Sequence, residues 1–145
     1  MPPPKPSPLG DEWLTALQES GYRLTAPRRV IVEIMASCER ALSPLALFDL
    51  GRKSQPRLGL VTVYRTLEKM EELGLVQRVH QPDDCHMYLP AARGHQHLLL
   101  CQNCGRAVLF DGDEMTAFFE SVAEKTGFAI RDHWLQLFGL CANCQ

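Results

Sequence analysis

Four blocks of apolar residues at helical spacing occupy the first half of the chain. Trp13, Leu14 and Leu17 share one face of a segment from Asp11 to Ser20 that stops at Gly21, a usual place for glycine at a helix end. Thr25 to Ser37 opens on Thr25 as N-cap with Pro27 in the first turn, then sets Val30, Ile31, Ile34 and Met35 on one face. Ser43 to Lys53 repeats the device, with Ser43 as cap and Pro44 behind it. The fourth block, Leu60 to Leu73, ends at Gly74 and turns Val63, Leu67 and Met70 inward, with Thr62, Arg65, Glu68 and Lys69 outward. Ahead of all four, residues 1–10 hold five prolines with Ser7 and Gly10, which predicts an extended, mobile tail.

From Leu75 the apolar period falls to two. Leu75–Gln81 and Cys85–Leu89, joined by Pro82-Asp83-Asp84, read as a hairpin. Helices followed by a hairpin is the order of a winged helix-turn-helix, in which one helix enters the major groove and the hairpin flanks it. Residues 11–91 are therefore expected to form a DNA-binding domain, and residues 92–94 a hinge. Beyond it the pattern predicts strands over 97–101, 106–110 and 128–138, a turn at Cys104-Gly105 and a helix over 113–126. That makes residues 95–145 a small α+β domain with a three-stranded sheet. A unit of this size holds poorly alone, so metal, dimerisation or both are expected to support it.

A chain of 145 residues has room for one or two small domains and excludes a large multidomain enzyme. At 46% apolar and 22% charged residues, disorder throughout is excluded too. The net charge of −2 hides an asymmetry: residues 1–80 carry 11 Lys and Arg against 9 Asp and Glu, and residues 81–145 carry 4 against 8. A mildly basic front and an acidic back imply a division of labour. All five histidines and five of the six cysteines, Cys38 excepted, lie beyond residue 79. No apolar run approaches the ~18 residues of a membrane span, and the N-terminus lacks the apolar stretch of a signal peptide. The expectation is a cytoplasmic protein with no membrane partner, in a compartment where paired cysteines are more often metal ligands than disulfides.

Cys101-Gln-Asn-Cys104-Gly105 and Cys141-Ala-Asn-Cys144 are two Cys-x-x-Cys pairs with 36 residues between them. Each presents two thiolates from one tight turn. Four thiolates make a closed tetrahedral site that suits Zn²⁺ and leaves no open position for chemistry, so the ion would be a structural staple joining the start of the back domain to its end. Two disulfides, or free core cysteines, are the alternatives.

Gly94-His95-Gln96-His97 sets two imidazoles on the same face of an extended segment. His80, Cys85 and His86 lie in the preceding hairpin, and His133 could approach from the last strand. A cluster of His with one Cys suits a second, regulatory Zn²⁺, and a site at a hinge would change the angle between domains when it fills. The plainer reading is histidines that are exposed or hydrogen-bonded. On the fourth helix, Thr62, Tyr64 and Arg65, with Lys69 one turn on, could supply base-edge and phosphate contacts, and Arg23, Arg28 and Arg57 could clamp the backbone around it. Taken alone, Arg65 and Lys69 could equally be a solvated face beside Glu68 and Glu72. A zinc deaminase would need an open coordination position and a His-x-Glu motif. The corresponding stretch here is His95-Gln96-His97, so neither catalysis nor a small-molecule substrate is expected.

Gly21-Tyr-Arg-Leu-Thr-Ala-Pro-Arg28, Gly59-Leu-Val-Thr-Val-Tyr-Arg-Thr-Leu67, His95-x-His97 running into Cys101-x-x-Cys104-Gly105, and Gly139-Leu-Cys141-x-x-Cys144 together resemble the ferric-uptake-regulator family, in its order and over residues 11–145. The resemblance implies a homodimeric, metal-responsive repressor with an N-terminal winged helix and a C-terminal dimerisation domain. Residue by residue, Tyr64 and Arg65 match the family's recognition-helix contacts, the four cysteines its structural zinc site, and His95, His97 and His133 its metal-site histidines.

Departures from that pattern bear on the metal. The acid that iron and peroxide sensors carry after the aromatic of the second hairpin strand is Leu89 here, the acid five residues past the second cysteine is Leu109, and Ala41 stands at the inter-helix histidine. Losing hard oxygen ligands argues against Fe²⁺, Mn²⁺ and peroxide sensing. Gly127-Phe-Ala-Ile-Arg131 and Phe138-Gly-Leu-Cys-Ala-Asn-Cys144 are similar to the zinc-uptake branch, although its sensor cysteine is Ala91 here, with Cys85 or His86 as substitutes. One residue more than usual separates His97 from Cys101. The resemblance thus implies a zinc-responsive repressor of zinc-uptake genes on double-stranded operator DNA. An iron or peroxide sensor, and a zinc-stapled protein-interaction module without DNA binding, are the rivals.

Overall fold

The hydroxyl of Ser7 accepts the N–H of Gly10 at 2.9 Å and so caps helix α1, Pro8–Glu19. This start is earlier than the proline-rich tail predicted. Proline costs a helix nothing in its first turn, where its missing N–H would have no intrahelical acceptor. A computed structural model describes residues 7–79, 86–93, 95–112 and 115–145, so the tail ahead of Ser7 lies outside the described residues. The chain divides into two units, the first running to Ala91 and the second Ala92–Gln145.

In the first unit α1 is followed by α2 (Ala26–Ser37), α3 (Pro44–Arg52), α4 (Leu60–Glu72) and an antiparallel hairpin of β1 (Val76–Val79) and β2 (Met87–Pro90). Ser43 caps α3 by accepting the Ala46 N–H at 3.1 Å. Thr25, placed as a cap by its position, makes no such bond. Gly74 ends α4 in the left-handed region, φ 71°, which releases the chain toward β1. Leu17, Ile31, Met35, Leu47, Val63, Leu67 and Met70 are fully buried and form one core with Trp13 and Tyr88. Thr66 is buried on the same face of α4 and satisfies its hydroxyl by donating to the Thr62 carbonyl at 2.7 Å. Two links hold the hairpin to the helices. Leu42 and Tyr88 exchange backbone hydrogen bonds of 2.8 Å, and Arg78 reaches Glu71 of α4 at 2.9 Å while lying over the Tyr88 ring.

The second unit is a three-stranded sheet in the order β4-β3-β5, with one helix: β3 (Gln96–Cys101), β4 (Ala107–Asp111), α5 (Thr116–Thr126) and β5 (Gln136–Gly139). β3 pairs antiparallel with β4 and parallel with β5. The strand expected over 128–138 shortens to four residues. In the parallel register Gln136 faces Leu98, and β3 begins only at Gln96, so residues much before 134 have no strand to pair with. Among the described residues of this unit only His97, Leu98, Leu100 and Cys101 are buried, and α5 buries none. Val108, Leu99 and Leu137 are neighbours across the sheet and stay 43%, 39% and 44% exposed. No helix among the described residues is long and apolar enough to cross a membrane.

Leu67→Ala should destabilise the first unit by about 2–5 kcal/mol, because it empties a fully buried position. Arg78→Ala, removing a pair that is about one-third exposed, should cost under ~1 kcal/mol. Urea unfolding of the full chain checks both.

Candidate metal centre and nucleic-acid face

The last residue of β3 is Cys101, and the turn after it returns Cys104 beside it. The Gly105 N–H closes that turn on the Cys101 carbonyl at 3.0 Å, with Gly105 at φ 73°. β5, running parallel to β3, ends at the same edge of the sheet, so Cys141 and Cys144 arrive on a second tight turn. The ligand atoms of all four cysteines lie within 4.8 Å of one another. The Cys104 and Cys141 sulfurs are 3.7 Å apart. A disulfide would need ~2.05 Å, whereas a tetrahedron with Zn–S bonds of ~2.3 Å has edges of about 3.8 Å. Backbone N–H groups of Cys104 and then Cys141 donate to the Cys101 sulfur and lower its pKa to about 6. Cys144 lies the other way, pushed up to about 11: the Asn103 side chain lowers it, but hydrogen bonding among the Cys141, Cys104 and Cys101 thiols favours its protonated form. This donor set fits a zinc ion.

His97 in β3 is 6% exposed. Its ring lies 5.7 Å from that of Phe110, its partner across β4, and 5.0 Å from that of His133. The Nε2 atoms of His97 and His133 are 3.4 Å apart, and the Phe119 ring backs His133 at 4.4 Å. The ring position of His97 depends on Gly112, where any Cβ would overlap the imidazole. Sequence reasoning missed that glycine; its position one residue past β4 was the available signal. His95 and His97, expected as a pair on one face, are not equivalent. His95 is exposed in the turn before β3 and lines a cavity of ≈ 360 Å³ with Glu120, Phe119 and His133. His86 is exposed ahead of β2, and His80 and Cys85 lie outside the described residues. Among the described residues, only the four cysteines form a group of three or more potential metal ligands.

On α4, Tyr64 is 46% exposed, Arg65 is exposed and Thr62 is half-buried. Lys69, expected either as a phosphate contact or as part of a solvated face, pairs with Glu72 at 3.2 Å. Arg28 is half-buried, its guanidinium 4.4 Å over the Tyr22 ring and donating to the Arg23 carbonyl, while Arg23 and Arg57 are exposed. Cys38 sits at the C-cap of α2, donating to the Met35 carbonyl at 3.2 Å, and burial pushes its thiol up to about 11, which leaves it a poor nucleophile.

The family model described as ferric uptake regulator matches residues 19–138. A ferric uptake regulation protein of Neisseria meningitidis is 29% identical over 133 residues, 91% of this chain and 92% of that protein. A zinc uptake regulation protein of Mycobacterium tuberculosis is 32% identical over 129 residues, 89% of this chain and 99% of that protein. Among solved structures, a zinc uptake regulator complexed with zinc and DNA superposes with a TM-score of 0.65 at 26% identity, covering 94% of this chain and 95% of that one.

Cys104→Ser should remove about one tightly held zinc per chain and abolish hydrogen-exchange protection in β3 and β5 while leaving α1–α4 protected. Retained zinc and intact protection would show that the four sulfurs are not the staple. Gly112→Ala should displace the His97 ring and deplete only metal that chelators can remove, as read by elemental analysis.

Proposed function

The chain belongs to the ferric uptake regulator family, and on that premise we propose that it is a cytoplasmic, zinc-responsive repressor of zinc-uptake genes that binds operator DNA as a homodimer. Members of the family are regulators rather than enzymes. Relatives named for iron and for zinc match over similar lengths, so the donor chemistry has to choose between the metals. The observation that carries the zinc reading is the donor set: the His97 and His133 Nε2 atoms lie 3.4 Å apart, close enough to share one ion, and imidazole nitrogen suits Zn²⁺. Two of the acids that iron and peroxide sensors of the family carry are replaced by Leu89 and Leu109, and Ala41 stands at the histidine position, which weakens the oxygen-rich alternative.

Two zinc ions per chain are proposed. The structural ion is held by Cys101, Cys104, Cys141 and Cys144. The regulatory ion is held by His97 and His133, with His95 on the adjoining cavity and His80, Cys85 and His86 as further candidates. When bound, it supplies a cross-link between β3 and the segment leading into β5. The exposed row Val108–Leu99–Leu137, too apolar to leave to water across a whole sheet face, supports burial against a second copy. Occupied His97 and His133 then favour the dimer arrangement in which the two α4 helices, with Thr62, Tyr64 and Arg65 toward the bases, meet major grooves one turn, ~34 Å, apart. Arg23, Arg28 and Arg57 serve the phosphates, and Lys69 joins them only after leaving Glu72.

Elemental analysis should find about one zinc per chain that resists chelators and about one that does not. On a duplex recovered by selection from a random-sequence library, affinity should rise with Zn²⁺ more than with Fe²⁺ or Mn²⁺. An equal rise with all three would overturn the zinc reading. Arg65→Ala should weaken that binding by roughly 10-fold or more with the dimer intact. If it leaves binding unchanged, α4 is not the reading helix.

A further inference from the structure

We propose that Val61 is a specificity residue, its methyl groups reading the C5-methyl of a thymine in the operator. The inference rests on the DNA-binding reading above and deepens it. α4 turns Val63, Thr66, Leu67 and Met70 into the core. Its opposite face carries Val61, Tyr64, Arg65 and Glu68, at the i, i+3, i+4 and i+7 positions that share one side of a helix. Val61 is 64% exposed, the most exposed large apolar side chain among the described residues of the first unit. There it does nothing for the fold. A β-branched residue in the first turn of a helix is a poorer helix former than alanine, and this one buries little in return.

Single exposed apolar residues are common on protein surfaces and need no function. Val61 is not isolated: Leu60 at 37% and Tyr64 at 46% exposure adjoin it, one turn from the Arg65 guanidinium. Recognition helices bring their N-terminal residues to the base edges. In the major groove thymine alone among the four bases displays a methyl group, and a side chain without a donor or acceptor can distinguish nothing else there. From Val61 to Arg65 is about 6 Å of helix, or roughly two base-pair steps of ~3.4 Å. The thymine should therefore lie near the guanine that a bidentate Arg65 reads.

The test uses the full-length, zinc-loaded protein and the selected duplex, with each thymine replaced singly by uracil, which deletes one methyl group. Wild type should lose about 4-fold in affinity at one thymine in each half-site, the worth of one buried methyl. Val61→Ala, expected to melt with wild type because the position is exposed, should bind the parent duplex about as weakly and be indifferent to that one replacement. Arg65→Ala should bind weakly yet keep the uracil penalty. The proposal is overturned if no thymine replacement weakens wild type, if the penalty survives in Val61→Ala, or if it disappears in Tyr64→Ala instead. A selection that enriches no sequence at all overturns the DNA-binding reading and this inference with it.

Discussion

Four sulfurs gather in the second unit where β3 and β5 end side by side. The packing around them is thin: among the described residues four are buried, α5 buries none, and one row of the sheet stays open to water. Too little apolar area is removed from water to offset the conformational entropy of ordering some fifty residues. The four thiols are not electrostatically equivalent: backbone N–H donation from Cys104 and Cys141 lowers Cys101 to about 6, while Cys144, although lowered by the Asn103 side chain, is pushed up to about 11 by hydrogen bonding among the thiols. A divalent cation held by all four would join the two strand ends.

The first unit has no such dependence. Its core runs unbroken from Trp13 through Leu67 to Tyr88, and the hairpin is anchored twice, through Leu42 and through Glu71. That leaves the outer face of α4 free of structural duty. A face with Val61, Tyr64 and Arg65 on a well-held helix is suited to recognition, since a reader fixed beforehand loses little entropy on binding. Arg28 shows the same economy. Its guanidinium is already placed by the Tyr22 ring and the Arg23 carbonyl.

Metal choice is a matter of what the chain withholds as well as what it offers. The Cys104 and Cys141 sulfurs lie near a tetrahedral edge apart and two imidazole nitrogens lie 3.4 Å apart, while Leu89, Leu109 and Ala41 offer no donor atom at the positions where iron and peroxide sensors of the family carry one. Phe110 and Phe119 press the two histidine rings into place, and Gly112 gives His97 the room to stand there. These packing contacts fix the orientation of the two rings.

What could be read along the chain was what neighbours in sequence settle. Ser43 caps α3 three residues away, Gly74 supplies a positive φ, the period of α4 separates its core face from its outer face, and a Cys-x-x-Cys turn brings its own two sulfurs together. Tertiary structure alone decided the rest. That β5 lies parallel to β3, and so ends beside it, is what joins one cysteine pair to the other; the same register left residues 128–133 with no strand residue opposite them and brought His133 to His97 rather than His97 to His95. Lys69 pairs with Glu72 one turn away, and Gly112 mattered only because a ring from another strand came to rest against it. Local periodicity records which side chains share a face; which face meets which depends on strand direction and register, and those are set by contacts between residues far apart in the chain.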